Sequence, residues 1–168
     1  PSTTWGVVQR MFLEVFFFRS LFRNSLAGVR ENDPVNNGPR SVYYSSKWLW
    51  CFALLFHYCL LLIFIRHFRF FIEPVPSCIT FLESIDGVMQ IGSPRFFWTG
   101  GLALAALLFL LARRIFNQRL RYLSLLNDYF PLWLLIGIVG TGICLRYFDK
   151  TEIAQVKVFV MGLTHFAP

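Results

Sequence analysis

Residues 48–65 read WLWCFALLFHYCLLLIFI, a run with no Asp, Glu, Lys or Arg and a single histidine. At about 1.5 Å per residue, a helix of this length covers most of the ~30 Å hydrocarbon core of a bilayer. A soluble protein rarely buries a helix that is apolar all round, whereas lipid demands one, because its backbone polar groups are satisfied within the segment. Helical character can continue to about Ile72, where Glu73-Pro74 stops it. This is the first predicted crossing.

Two further runs repeat the pattern. Residues 96–112, FFWTGGLALAALLFLLA, are bounded by Arg95 and by Arg113-Arg114, and residues 125–145 form the third run. Gly100, Gly101, Ala103, Ala105 and Ala106 in the second run, and Gly137, Gly140 and Gly142 in the third, are small residues that permit close approach of a helix or a flat cofactor. Pro131 is expected to kink the start of the third run. Composition agrees: 56% of the 168 residues are hydrophobic, 20 are Phe, and the 15% that are charged cluster between the apolar runs. The expected fold is all-α, an integral membrane helical bundle with at least three transmembrane helices. The chain opens without an initiator Met and stops at His165-Phe166-Ala167-Pro168, which suggests an internal portion of a five- or six-helix protein.

Residues 5–22, WGVVQRMFLEVFFFRSLF, space apolar residues by three and four but are interrupted by Arg10, Glu14 and Arg19. They predict an amphipathic helix that does not span. It either lies in the interface with its arginines toward lipid phosphates or docks on a partner's helices. Residues 24–47 read as a polar connector, with turn signals at Asn32-Asp33-Pro34 and Asn37-Gly38-Pro39. The chain thus divides into residues 1–47, an interfacial helix and connector, and residues 48–168, a transmembrane part.

Charge placement sets the orientation. Arg10, Arg19, Arg23, Arg30, Arg40, Lys47, Arg113, Arg114, Arg119 and Arg121 fall on one side, against Arg66, Arg69, Arg95, Arg146, Lys150 and Lys157 on the other. The positive-inside rule then makes residues 1–47 and 113–124 cytoplasmic, in the cell's inner membrane. Residues 87–94 and 147–164 face outward, the latter as a short surface helix with Lys150, Glu152 and Lys157. A net charge of +7 could suit nucleic acid, but no polar segment interleaves basic residues with exposed aromatics. Cys51, Cys59, Cys78 and Cys144 contain no CxxC, which argues against an iron–sulfur cluster built by this chain alone. Cys78 and Cys144 fall on one side and leave a disulfide open.

The chemistry rests on His57 and His67 in the first run. An ionisable group inside a membrane is costly, and neutral imidazole is a usual ligand of haem iron. Ten helical residues rise about 15 Å and leave the two rings roughly 80° apart, so they cannot serve one iron. As ligands they would hold two haems at different depths, the stack that electron transfer across a bilayer asks for. Arg66 and Arg69 could pair with haem propionates as bidentate partners. The residues also allow duller roles: His57 bonded to a neighbouring helix, His67 an interfacial anchor between the arginines. Two haems with histidine on both faces need four imidazoles, and the chain has 3 His, with His165 read as a surface or site-lining residue.

The run LFHYCLLLIFIRHFRFF at 55–71, followed by Arg113-Arg114-Ile115-Phe116, resembles the cytochrome b subunits of the respiratory nitrate reductase gamma family. WGVVQRMFLEVFFFRSLFRN, SSKWLW and RHFRFFIEPVP resemble more specifically the branch of that family associated with dissimilatory sulfite reduction. The resemblance spans essentially the whole chain. It implies two b-type haems, with His57 and His67 giving one ligand to each and the opposing ligands on a later helix. It further implies oxidation of a quinol, menaquinol, near the outer haem, with Arg66, Arg69, Glu83 and Asp86 as candidate contacts. Electrons would pass to a cytoplasmic iron–sulfur partner of the heterodisulfide-reductase type, alongside other membrane and cytochrome subunits. A gamma subunit of a nitrate reductase-like complex, a haem-free membrane anchor and a transporter subunit stay open, the last hinted at only by Asp128 and Pro131.

Overall fold

The computed structural model describes residues 3–23, 26–30, 40–44, 46–87, 96–149 and 152–164. Both predicted turn signals in the connector, most of residues 87–94, and Arg95, Lys150 and His165 lie outside them. The chain separates into two compact units, Pro1–Leu54 and Leu55–Pro168.

In the first unit, α1 (Thr4–Phe17) starts where the Thr3 hydroxyl accepts the Gly6 amide at 3.3 Å, a serine/threonine-type cap. The expected single helix over 5–22 is in fact broken. Phe18 adopts a left-handed conformation, φ 49°, and α2 (Arg19–Arg23) begins after it. That geometry costs a non-glycine residue about 1–2 kcal/mol, and local contacts offset it. The Phe18 amide bonds back to α1 carbonyls, the Glu14 carboxylate accepts the Ser20 amide at 2.8 Å, and Trp50 Nε1 donates to the Phe17 carbonyl at 2.7 Å. Phe22 stands edge-on to Trp50 with ring centres 5.0 Å apart.

The Ser20 amide holds the Glu14 carboxyl below its ordinary range, and Arg10 and Arg19 add to the effect. A lowered folded pKa means the contribution is present above the unfolded value and is lost as pH falls through the folded one. Amide-exchange protection of Ser20 is therefore expected to persist at neutral pH and collapse only in acid; protection indifferent to acid would contradict the capping role. Apolar residues of α1 stay exposed, Trp5 at 78% and Met11 at 61%, as an interfacial or docked helix requires. The connector is more ordered than its composition predicts. Strands β1 (Leu26–Arg30) and β2 (Arg40–Tyr44) pair antiparallel, with Gly28 opposite Val42 and Arg30 opposite Arg40.

The helix α3 (Lys47–His67) runs on into a 3₁₀ turn at Phe68–Phe70, close to the predicted end near Ile72. With α5 (Trp98–Phe116) and α7 (Leu126–Tyr147) it gives, among the described residues, three helices long and apolar enough to cross a membrane. The all-α membrane class is as expected, with the small β ribbon added. Shorter helices in the second unit, among the described residues, are α4 (Ser77–Asp86), α6 (Gln118–Leu123) and α8 (Ile153–Thr164). The last is a short helix within residues 147–164, where one was expected, and carries Lys157, which meets Glu73 at 3.2 Å.

The core of the second unit is centred on α5, whose Thr99, Ala103, Ala106, Leu107 and Leu111 are buried at helical spacing. Phe56 and Cys59 of α3, Ile79 of α4 and Phe97 complete it. The small residues of α5 act as anticipated: Ala103 and Ala106 are fully buried, and a side chain at Gly100 would meet Ile143 of α7 at 3.8 Å. The glycines of α7 do not pack this way. Nothing lies within 4 Å of a Cβ built at Gly137, Gly140 or Gly142 among the described residues, and no α7 residue is buried. Helix α7 continues through Pro131. Asp128 is a helix-start residue: its carboxylate accepts the Leu125 amide at 3.0 Å and sits 3.7 Å from Arg114. Cys78 and Cys144 are both free thiols.

Candidate functional site

Helix α3 has two distinct sides. Phe56 and Cys59 are buried and Arg66 is turned inward, while His57, Tyr58, Leu61, Phe64, His67 and Phe68 are exposed. The spacing 57, 61, 64, 68 traces one stripe of a 3.6-residue helix, with His67 at its flank. Both histidines nominated by the sequence therefore sit on the apolar, exposed side of the first span, three turns apart in depth.

The His67 ring is held in a defined state. Its Nδ1 lies 2.7 Å from the Ile63 carbonyl oxygen, which can only accept, so Nδ1 donates and, in the neutral imidazole, Nε2 is the nitrogen with the lone pair. A ligating imidazole usually donates its other N–H to a carbonyl or carboxylate in this way. The His57 ring stands edge-on to Phe56, centres 5.1 Å apart.

Arg66 and Arg69 both reach α4. Arg66 pairs with Asp86, and Arg69 Nη1 meets Glu83 Oε1 at 2.6 Å. Because 66/69 and 83/86 are each three apart, two antiparallel helices can match them rung for rung. Asp86 does more than neutralise Arg66. Its Oδ1 accepts the Thr99 amide at 3.0 Å and its Oδ2 accepts the Thr99 hydroxyl at 2.6 Å, placing a carboxylate on the unsatisfied first turn of α5. The two arginines expected to meet propionates, and the two acids expected near a quinol, thus have each other as first partners. Sequence reasoning missed the rest of this cluster. Phe97 lies under the Arg66 guanidinium at 3.6 Å and the Arg146 guanidinium at 4.1 Å, and its amide donates to the Tyr147 hydroxyl at 2.9 Å. An arginine at the end of a span signals an interfacial anchor, and nothing in the sequence says which ring it covers.

Among the described residues, no three or more His, Cys, Asp or Glu side chains gather as a metal cluster. Fold and site together define a polytopic helical membrane protein whose first span carries two imidazoles at separate depths on its open side. The chain belongs to the nitrate reductase gamma subunit family, whose model matches residues 3–167. It is 42% identical, over 99% of its length, to the Hdr-like menaquinol oxidoreductase cytochrome b-like subunit of Archaeoglobus fulgidus. It is 38% identical, over its whole length, to the protein of the same name in Archaeoglobus profundus. The chain spans about half of each relative, 47% and 48% of their lengths. No solved structure matches.

Proposed function

We propose that this chain is part of a membrane di-haem cytochrome b subunit that oxidises menaquinol and delivers electrons to a cytoplasmic iron–sulfur subunit of the heterodisulfide-reductase type. The observation that carries it is the pair His57 and His67, exposed on one side of one span about 15 Å apart along its axis. Family membership and the names of the two relatives support the cytochrome b character, the quinol and the heterodisulfide-reductase-like partner. The segments noted at 5–24, 45–50 and 66–76 favour the sulfite-reduction branch, with a DsrM-like subunit beside a DsrK-like partner.

The donor set fits the cofactor. Neutral imidazole is a usual protein ligand of haem iron, and His57 and His67 as single imidazoles at separate depths would each hold one haem, which needs no side-chain cluster. Bound haem supplies one-electron redox chemistry between a two-electron quinol and the partner's clusters. His57 and His67 would set position and potential, His67 through Nε2 with its orientation fixed by the Ile63 carbonyl. Leu61 and Phe64 lie between them on the same exposed, apolar stripe. Quinol oxidation releases two protons with its two electrons, and the reading places that release at the outer end, near His67. Residues 1–47 and 113–124 face the cytoplasm in this orientation.

Reduced-minus-oxidised absorbance of the full-length protein in its membrane tests the proposal. A b-type band that menaquinol analogues reduce is the expected result. A wild-type protein without haem would establish a haem-free anchor instead.

A further inference from the structure

Arg146, in the last turn of α7, differs from the other cations around α4 and α8. Arg66 is matched by Asp86, Arg69 by Glu83 and Lys157 by Glu73. Arg146 has no carboxylate partner among the described residues, and its Nε is buried without a hydrogen-bond acceptor. Its guanidinium shares the Phe97 ring with Arg66, which places the two cations within about 8 Å of each other. Asp86 answers one of them only. A buried guanidinium nitrogen left unsatisfied beside a second cation is costly, and an oxyanion removes both costs at once. The planar fork of arginine suits a carboxylate, which it can hold through two parallel bonds.

The geometry points to Arg146 as the residue that receives a carboxylate from outside this group of helices. On the reading of the preceding section, that carboxylate is a propionate of the haem ligated by His67, the neighbour of Arg66 in sequence. Arg66 and Arg69, the obvious candidates in the sequence, have their charge matched by α4, and the unmatched charge of the cluster belongs to Arg146. The unmet atom is the buried Nε; a lipid phosphate shares this chemistry at the end of a span, and the test below separates the two. Arg146 is in this sense a positioning residue that also tunes the haem: a nearby cation disfavours the more positive ferric state and raises the potential.

The test is a potentiometric titration of the intact complex carrying Arg146→Gln or Arg146→Lys. Arg146→Gln is expected to lower the midpoint potential of one b-type haem and leave the other in place, and Arg146→Lys to lower the same haem less. If the Gln variant does not assemble, the Lys variant decides alone. Unchanged potentials at wild-type haem content overturn the assignment. So does loss of a bound anionic phospholipid, measured by mass spectrometry of the purified complex, with the potentials unmoved. Absence of haem from the wild type would defeat the underlying proposal instead, so the two failures are distinguishable.

Discussion

His67→Ala in the intact protein is expected to remove one b-type haem and, with it, reduction of the remaining haem by quinol. His57→Ala is expected to remove the other haem while quinol still reduces the one that stays. Each variant should keep roughly half of the wild-type haem, read from difference spectra after dithionite, which reduces either haem without the quinol site. The asymmetry follows from depth. Three helical turns separate the two imidazoles, about 15 Å, so in the proposed arrangement electrons entering at the His67 end would meet its haem first and reach the His57 haem through it. Without His67 there is no first acceptor; without His57 the first acceptor remains and the onward path is cut. Two outcomes would refute the arrangement: both haems lost together in either single variant, or quinol reduction surviving His67→Ala. A histidine that only anchors a helix would leave haem content at the wild-type level.

What could be read from the amino acids, and what could not, divides along a physical line. The three spans are set by a solvent property, because lipid excludes charge from windows of fixed length, and the bounds read from charge differ from the helices by a few residues at most. His57 and His67 were legible for the same reason, since a polar side chain stands out where everything else is apolar. Interruptions that depend on one local hydrogen bond were not legible. The break at Phe18 rests on Glu14 reaching Ser20 and on Trp50 reaching Phe17, thirty-three positions away in sequence. Helix α4 also went unread, because Pro74 and Pro76 advertise a loop and its ten residues are too short for a clear period.

The arginines show a subtler failure. In the sequence their expected partners are haem propionates, whereas residues 83 and 86 pair with them from within the chain. The matching spacing of 66/69 and 83/86 was present in the sequence and could have revealed it. The α7 glycines show the reverse case: the close approach that they permit is visible in sequence, and none of the described residues makes it.

Asp86 is where the largest loss of stability is expected. It and Arg66 are 10% and 14% exposed, so neither charge is well solvated. Asp86→Ala would leave the Arg66 guanidinium without its counter-charge and the first turn of α5 without its cap. Breaking one partner of a buried pair costs about 3–5 kcal/mol, and a lost helix cap adds about 1 kcal/mol. That is a large share of a folding free energy of about 5–15 kcal/mol. Glu83→Ala should cost much less, because Arg69 is 33% exposed and water or lipid headgroups can take over its charge.

Two origins of the Asp86 effect can be separated with Arg66→Met/Asp86→Leu, which removes both charges and keeps the volume. A buried pair replaced by apolar residues is often neutral, so this double variant should be more stable than Asp86→Ala, lacking the cap at Thr99 and the Arg66 contacts with the Thr99 hydroxyl and the Phe97 ring. Thermal unfolding of the purified full-length protein in detergent gives the order. A double variant as unstable as Asp86→Ala would mean that the grip of the carboxylate on Thr99, and not the uncompensated guanidinium, holds α4 against α5.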